Sequence, residues 1–256
     1  MPPLIKVGTC GWSAKGGMKA YYDYFKVIEV QRTFYKLPKL ETLNRWRNEA
    51  PEDFEFCLKA WQVITHPPSS PTWRKAGLKV REEEREGYGY FKPSEVNLRA
   101  WELVKETCKA LRAKLCIFQT PPSFNYTEDN VRNVLAFFKV IRRDDLLLAW
   151  EPRGDWYEHG RELRNILKEA NLIHVVDPLR REPLYLGEIC YFRLHGLGGR
   201  EVNYKYKYTE GDLIKLLNFL EELSCRVAYV LFNNVYMFED ALRFKHLASE
   251  SGLEVL

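Results

Sequence analysis

Short apolar runs alternate along this chain with longer stretches in which apolar residues recur every three or four positions. The first pattern predicts buried β-strands, and the second predicts amphipathic helices. We predict strands near residues 4–10, 27–34, 54–59, 114–119, 146–151, 172–177, 189–195 and 226–233. Helical patterns lie between them at residues 39–49, 97–112, 128–142, 159–170, 210–224 and 238–250.

Eight such alternations favour one α/β fold class, a parallel TIM-type (β/α)8 barrel, over an open doubly wound sheet. A chain of 256 residues suits one such barrel, so we expect a single domain over residues 1–256. The barrel need not be regular, because the connection after the third strand, residues 62–96, is long and rich in proline and charge. Connections of that length are usually lids or binding loops, or else disordered.

Most of the predicted strands are apolar until the carboxyl end and then finish in a polar residue. These residues are Lys59, Gln119, Glu151, Asp177, His195 and Asn233. In a barrel the strand ends meet at one mouth, the face where barrel enzymes carry out their chemistry. We therefore expect one cavity to be surrounded by Glu29, Lys59, Glu151, Asp177, Arg193 and His195.

Several short motifs add a resemblance to this pattern. They are "GTCGW" at 8–12, "EVQRTFYKLP" at 29–38, "FEFCLKAWQVITH" at 54–66, "FQTPPSF" at 118–124, "WEPRGDW" at 150–156, "YFRLHG" at 191–196 and "FNN" at 232–234. Their order and spacing resemble the YecE-like family, a domain of unknown function (number 72), over nearly the whole chain. The resemblance implies a single TIM barrel with an uncharacterised site at the strand ends, and it implies no particular reaction.

The family's polar positions fall, by this resemblance, on Glu29, Lys59, Gln119, Glu151, Arg153, Asp177, Arg193, His195 and Asn233. Two residues depart from the family pattern. Gln31 stands where the family usually has Asn, and Gly154 stands where it often has His. The missing histidine argues against a mechanism that needs a base at position 154.

Two glutamates are candidate acid or base groups. Glu151 ends an apolar run, and strand alternation places Glu29 on one face with Gln31 and Thr33. A buried carboxylate needs a partner or a proton, because an unpaired buried charge is very costly. For both residues the alternative to catalysis is a structural ion pair, which for Glu151 would be made with Arg153, Lys59 or Arg193.

Arg193 and His195 lie two residues apart on one strand face, so they present a fixed cation and a titratable imidazole together. This pair suits a phosphate or carboxylate ligand. The alternative is that Arg193 neutralises Glu29 or Asp177, and both descriptions can hold at once. We favour the ligand clamp, because the glycine turn after His195 would place backbone donors beside the guanidinium.

A divalent metal is an open alternative. Glu29, Glu151, Asp177 and His195 could form a mixed site, with His66 contributed by the long connection. The chain has no HExxH motif, however, and Lys59 and Arg193 at the same mouth would oppose a divalent cation. We assign no metal ligand and no required cofactor.

The segment "GLGGREVNYKYKY", residues 196–208, follows the seventh strand. Barrels often bind phosphate there with backbone amides. Its alternating tyrosines and lysines, Tyr208 included, would also suit stacking on nucleic-acid bases, and Trp12 at the end of the first strand would suit stacking on a sugar or base. The alternative is a solvated loop whose aromatic residues pack on the rim of the barrel.

Composition adds little to the choice of function. A net charge of +4, from 39 basic and 35 acidic residues, permits an anionic ligand without requiring one. The six cysteines form no CxxC pair and lie mostly in apolar runs, which is typical of an intracellular protein. The amino terminus lacks the features of a signal peptide and no apolar window is long enough to span a membrane, so we expect a cytoplasmic protein with no membrane partner.

These observations leave three hypotheses. The first is a hydrolase or lyase acting on a phosphorylated, sugar or nucleotide-like substrate. The second is a nucleic-acid-binding protein with nuclease-like metal chemistry, and the third is a non-catalytic anion-binding module. For the first hypothesis the predicted catalytic residues are Glu29, Glu151, Asp177 and His195. The predicted substrate-binding residues are Trp12, Lys59, Gln119, Arg153, Arg193, Tyr208 and Asn233.

Overall fold

The computed structural model describes residues 2–199 and 201–256. Within these residues, eight parallel strands follow one another in chain order around a closed barrel. They are β1 (Leu4–Cys10), β2 (Val27–Val30), β3 (Glu55–Lys59), β4 (Leu115–Gln119), β5 (Leu147–Glu151), β6 (Ile173–Val176), β7 (Ile189–Leu194) and β8 (Val227–Phe232). The predicted TIM-type barrel is confirmed.

Helices connect the strands, as parallel neighbours require. They are α1 (Gly17–Tyr21), α2 (Arg32–Tyr35), α3 (Leu40–Glu49), α4 (Pro71–Ala76), α5 (Glu95–Leu111), α6 (Glu128–Val140), α7 (Gly160–Glu169), α8 (Glu210–Glu221) and α9 (Met237–Glu250). Single turns of 3-10 helix occupy Gln62–Ile64 and Trp156–His159, and a longer one occupies Glu82–Gly87. The helices predicted from periodicity are all present. Three of them begin with side-chain caps, because the hydroxyls of Ser94, Thr127 and Thr209 each accept a backbone N–H three residues on.

The second strand is shorter than predicted. It ends at Val30, and the chain turns at once into α2, so Glu29, Gln31 and Thr33 do not share one strand face. A long-range contact stabilises the helical turn, since the hydroxyl of Thr33 donates to the backbone oxygen of Lys59 at 2.7 Å. Of the three predicted neighbours, only Glu29 remains on the strand.

The connection of residues 62–96 has more regular structure than its composition predicted. It contains α4 and two 3-10 segments, and α5 begins within it. Two of its aromatic residues are buried, Trp73 and Phe91, and Phe91 packs against Phe118 and Phe138. Through these two residues the long connection contributes to the apolar core.

The chain divides into two compact units. The first unit contains residues 2–30, 49–56 and 173–256, and the second contains residues 31–48 and 57–172. Each has an apolar core of its own, which includes Phe25, Phe54 and Leu231 in the first unit and Phe91, Phe118 and Trp150 in the second. That the whole chain is a single domain stays a prediction.

No helix in the described part of the chain is both long enough and apolar enough to cross a membrane.

Candidate functional site

The first unit contains a buried ion pair between Glu29 at the end of β2 and Arg193 in β7. The guanidinium Nη2 lies 3.0 Å from Oε1 of Glu29, and both side chains are 0% exposed. The hydroxyl of Tyr191, two residues before Arg193, donates to Oε2 of Glu29 at 2.9 Å. The carboxylate thus meets a cation on one oxygen and a hydroxyl on the other, as a buried charge requires.

A positioned histidine follows β7 directly. The backbone N–H of His195 donates to Oδ2 of Asp177 at 2.9 Å, while Oδ1 of Asp177 accepts from the backbone of Leu179 at 3.1 Å. On the ring, Nδ1 of His195 lies 3.1 Å from the side-chain nitrogen of Asn233. That amide nitrogen can only donate, so Nδ1 accepts and the ring proton of the neutral imidazole is on Nε2.

The turn after His195 is closed by a buried tyrosine. Gly196 has a φ of 80°, and a Cβ atom there would lie 2.1 Å from the backbone oxygen of Asn203, so only glycine fits. Its backbone N–H donates to the hydroxyl of Tyr208 at 2.7 Å. Burial, reinforced by the charge of Asp177, raises the pKa of Tyr208. The side chain of Arg180 donates to backbone oxygens of the same turn.

These bonds correct part of the anion-binding argument. The backbone N–H groups nearest the Arg193 end of the turn are those of His195 and Gly196, and both already donate, to Asp177 and Tyr208. Neither is left to receive a phosphate beside Arg193. The structure shows Arg193 as the counter-ion of Glu29, and a role for it in ligand binding stays a prediction.

The second unit has a charged group of its own around Lys59, the last residue of β3. Its ammonium donates to Oε1 of Gln119 at 2.9 Å and lies 4.1 Å from the centre of the Phe34 ring. The ring of His66 also contacts the Phe34 ring, edge to face, with ring centroids 5.0 Å apart, and its Nδ1 lies 2.8 Å from the hydroxyl of Thr65. Burial, together with the charge of Lys59, lowers the pKa of His66 to about 3, so this imidazole is neutral at pH 7.

Glu151 at the end of β5 pairs with Arg153, two residues further along the chain. The next residue, Gly154, has a φ of 81°, and a Cβ atom there would lie 2.6 Å from the side-chain oxygen of Asn125. A histidine at position 154 would therefore need its surroundings to move. The departure from the family pattern at this position matches the local packing.

We call Glu29, Asp177, Tyr191, Arg193, His195 and Asn233 the first-unit cluster. We call Lys59, His66, Gln119, Glu151 and Arg153 the second-unit cluster. Within each cluster, the predicted residues contact one another in pairs through hydrogen bonds or ion pairs. The catalytic and substrate-binding roles assigned to them stay predictions, as does the expectation that six of them surround one cavity.

Two further predicted residues serve packing in the structure. Trp12 is half-buried and contacts the rings of Tyr21, Tyr22, Phe54 and Phe56. Tyr208 is buried, and its hydroxyl accepts the bond from Gly196. A ligand contact by either residue stays a prediction.

Sequence reasoning missed the parts of Tyr191 and Arg180 in this site. Tyr191 carried a signal, because strand alternation places it on the same face as Arg193, where its hydroxyl could reach the same partner. Arg180 carried none, because it follows β6 in a loop whose path to the turn at Gly196 depends on tertiary structure.

In the described ranges, 2–199 and 201–256, no three His, Cys, Asp or Glu side chains lie close enough to hold one metal ion. Arg193 also occupies an oxygen of Glu29 that a divalent cation would need. The geometry of the described residues therefore gives no support to a nuclease-like metal centre.

Comparison with protein families places this geometry in a known group. The family model described as "Protein of unknown function DUF72" matches residues 6–255. The chain belongs to the DUF72 family. This confirms the resemblance to the YecE-like family.

Two curated relatives match this DUF72 chain. UPF0759 protein YunF of Bacillus subtilis is 25% identical over 270 residues, covering 90% of this chain and 89% of YunF. UPF0759 protein YecE of Escherichia coli K12 is 39% identical over 70 residues, which cover 25% of this chain and 26% of YecE.

Solved structures agree on the fold. A DUF72 protein from Enterococcus faecalis has a TM-score of 0.71 at 20% identity, covering 96% of this chain and 98% of that one. A D-psicose 3-epimerase determined in the presence of D-fructose has a TM-score of 0.56 at 15% identity, covering 97% of this chain and 99% of that one. At these sequence identities the likeness shows the barrel fold alone, and the activities of those proteins are not assigned to this chain.

Proposed function

We propose that this DUF72 protein is an enzyme of the hydrolase or lyase class that transfers a proton through His195 to a small anionic or sugar-like substrate. One observation carries the proposal. His195 follows a barrel strand at its carboxyl end, where such barrels place their chemistry, and it is held from two directions. Asp177 fixes its backbone, and Asn233 fixes its ring.

The hydrogen bond from Asn233 gives His195 a defined chemical role. With Nδ1 occupied as an acceptor, the proton on Nε2 is the one that a substrate oxygen or leaving group can receive. Asp177 uses both carboxylate oxygens on backbone N–H groups, so it acts as a positioning residue. The Glu29–Arg193 pair supplies fixed, mutually neutralised charges in the same cluster, and the proposal needs no proton transfer from it.

The other two hypotheses are less well supported. Nuclease-like metal chemistry needs converging ligands, and Arg193 already pairs with Glu29. A non-catalytic anion-binding module needs no particular tautomer at His195, whereas the structure sets one. We retain this module as an outcome of the test.

The test compares the full chain with His195→Gln across a panel of phosphate monoesters, phosphosugars and nucleotides. For any substrate that the wild type converts, the loss of general acid–base catalysis should lower turnover by roughly 100- to 10,000-fold. His246→Gln is the matched control, because that histidine is exposed on α9, where it pairs with Glu250. Full turnover by His195→Gln would contradict the proposal, and binding of panel members without any turnover would support the non-catalytic module.

A second measurement does not depend on knowing the substrate. Long-range proton–nitrogen correlation spectra should show His195 as the neutral tautomer with its proton on Nε2 at pH 8. Asn233→Ala should give a mixture of tautomers, because the donor that selects Nδ1 as acceptor is removed. A wild-type spectrum with the proton on Nδ1 would remove the observation on which the proposal rests.

A further inference from the structure

The loops after β7 and β8 lie side by side and expose a group of large side chains. The backbone N–H of Val235 donates to the backbone oxygen of Tyr204 at 2.7 Å, which fixes the two loops together. Val235 is 70% exposed, Tyr204 45% and Tyr236 38%. We call these three residues the tyrosine platform. Contiguous exposed side chains of this kind mark binding surfaces more often than isolated ones do.

The tyrosines of the motif at residues 196–208 differ in their exposure, and Tyr204 alone of them belongs to the platform. Tyr208 is buried against the turn, and the hydroxyl of Tyr206 donates to Asp212 at 2.7 Å at the start of α8. These two tyrosines serve the fold. Tyr204 is the tyrosine of the motif that faces outward, and residues from the next loop extend its surface.

Exposed cations flank the platform. Lys205 adjoins Tyr204, and the ammonium of Lys207 lies 5.2 Å from the centre of the Tyr236 ring. Lys207 also pairs with Glu239 at 2.7 Å. The bond and charge of Lys207, with a smaller contribution from Lys15, lower the pKa of Glu239, so Lys15 lies within electrostatic range of the same edge. Lys207 and Lys15 thus lie near one exposed carboxylate, and the exposed Lys205 follows Tyr204 in the same loop.

The platform is continuous with the proposed catalytic residue. The rings of Tyr204 and His195 meet edge to face, with centroids 6.1 Å apart. A ligand that reaches His195 from this side therefore passes over Tyr204. Its chemistry should match what the platform offers, which is exposed aromatic rings with positive charge beside them.

We propose that the tyrosine platform, with Lys15, Lys205 and Lys207, binds the base and the phosphate of a nucleotide, either free or at the end of a single strand. Bases stack on aromatic side chains beside cations that hold the phosphate. A protein partner fits less well, because lysine is depleted in protein–protein interfaces. A neutral sugar would leave the lysines without a role. The inference rests on the proposed function in one respect, since it names the substrate class of the His195 site.

The test measures binding to the full chain of four probes: AMP, adenosine, ribose 5-phosphate and a labelled ten-nucleotide oligothymidylate. AMP should bind more tightly than ribose 5-phosphate, because only AMP adds a stacking base. Tyr204→Ala should weaken AMP binding about tenfold or more and leave ribose 5-phosphate unchanged. Tyr204→Phe should bind AMP as the wild type does, and Leu103→Ala, which truncates an equally exposed side chain on α5, should change nothing.

The oligothymidylate separates the two sources of the nucleotide. If it binds more tightly than AMP, with an affinity that falls steeply with salt and less steeply in Lys205→Ala, the ligand is a strand end. If AMP binds at least as tightly, the ligand is a free nucleotide. The inference is overturned if neither AMP nor the oligothymidylate binds more tightly than ribose 5-phosphate, or if Tyr204→Ala binds AMP unchanged. It is also overturned if the platform is a contact between two copies of this chain. In that case the only effect of Val235→Ser would be to abolish a concentration-dependent dimer.

Failure of the inference and failure of the proposed function are distinguishable. His195→Gln should retain AMP affinity within about threefold, because stacking on Tyr204 does not need the imidazole proton. Retained AMP binding with undiminished turnover in His195→Gln would leave the platform in place and remove the catalytic proposal. Conversely, if the wild type converts a substrate without a base and His195→Gln loses that turnover, the catalytic proposal stands and the nucleotide inference fails.

Discussion

The first-unit and second-unit clusters contain similar residue types in different arrangements. Each has a glutamate paired with an arginine and a buried histidine. In the first, Glu29 and Arg193 come from strands far apart in the chain and are both 0% exposed. In the second, Glu151 and Arg153 are two residues apart, and their side chains are 6% and 8% exposed.

The difference indicates what each pair does for the fold. Glu29 and Arg193 can meet only when β2 and β7 are in place, so the contact belongs to the folded state. Glu151 and Arg153 are neighbours in any state of the chain, and their position at a strand end leaves some access to water. Loss of the first pair should therefore lower the free energy of unfolding more than loss of the second pair does.

The largest expected effect comes from Arg193→Ala. The substitution leaves the carboxylate of Glu29 buried with the hydroxyl of Tyr191 but without its cation. We expect the free energy of unfolding to fall by about 3–5 kcal/mol. Urea denaturation at pH 7 and low salt measures it.

Arg153→Ala is the matched comparison. Water can reach part of the site, so the loss should be smaller, about 1–3 kcal/mol. Adding Glu29→Gln to Arg193→Ala should recover part of the lost stability, because the stranded charge is removed. Equal losses for the two arginine variants, with no recovery in the double variant, would mean that the two pairs do not differ in the way described.

The two histidines sharpen the comparison through pH. Burial and Lys59 lower the pKa of His66 to about 3, below its ordinary value of 6.5. Between these values the unfolded chain binds a proton that the folded chain does not, so the contribution of His66 to stability is full above pH 6.5 and is lost as the pH falls toward 3. The slope should approach about 1.4 kcal/mol per pH unit.

The measurement is the free energy of unfolding of the wild type and His66→Gln at several pH values from 7 to 4.5. The variant should lose most of the slope that the wild type shows in this range, whatever its stability at pH 7. His246→Gln serves as the control, since that exposed side chain should leave the slope unchanged. A His66→Gln variant with the wild-type slope would show that His66 titrates normally in the fold.

The barrel could be predicted from the sequence because most of its strands have a local pattern, an apolar run that stops at a polar residue. The ends of β3, β4, β5 and β7 lie within one residue of their predicted positions for this reason. The end of β2 does not, because residues 31–34 look like strand and are turned into α2 by a contact that the local pattern cannot show. That contact is the bond from Thr33 to the backbone of Lys59.

The candidate site was predictable as a set of residues and much less so as a set of partners. Alternation named Arg193 and His195, and the need to neutralise Glu29 suggested Arg193 among other partners. That Asp177 would use its carboxylate on backbone N–H groups depends on how the loops after β6 and β7 approach each other. Alternation also made Tyr204 and Tyr208 equivalent, although in the folded loop one faces outward and the other inward.

The smallest expected effect tests that last distinction within the first unit, by removing one hydroxyl from each of these two tyrosines. Tyr208→Phe leaves the backbone N–H of Gly196 buried without its acceptor, so the free energy of unfolding should fall by about 1–2 kcal/mol. Tyr204→Phe should change it by less than about 0.5 kcal/mol, because that ring is exposed.

Since burial raises the pKa of Tyr208 above its ordinary value of 10, the unfolded chain releases this proton first. Its contribution is therefore full below pH 10 and is lost above it, so the wild type should lose more stability between pH 9 and 11 than Tyr208→Phe does. Urea denaturation over that range, with Tyr204→Phe as the matched variant, gives both quantities, and identical behaviour of the two variants would place Tyr208 at the surface with Tyr204.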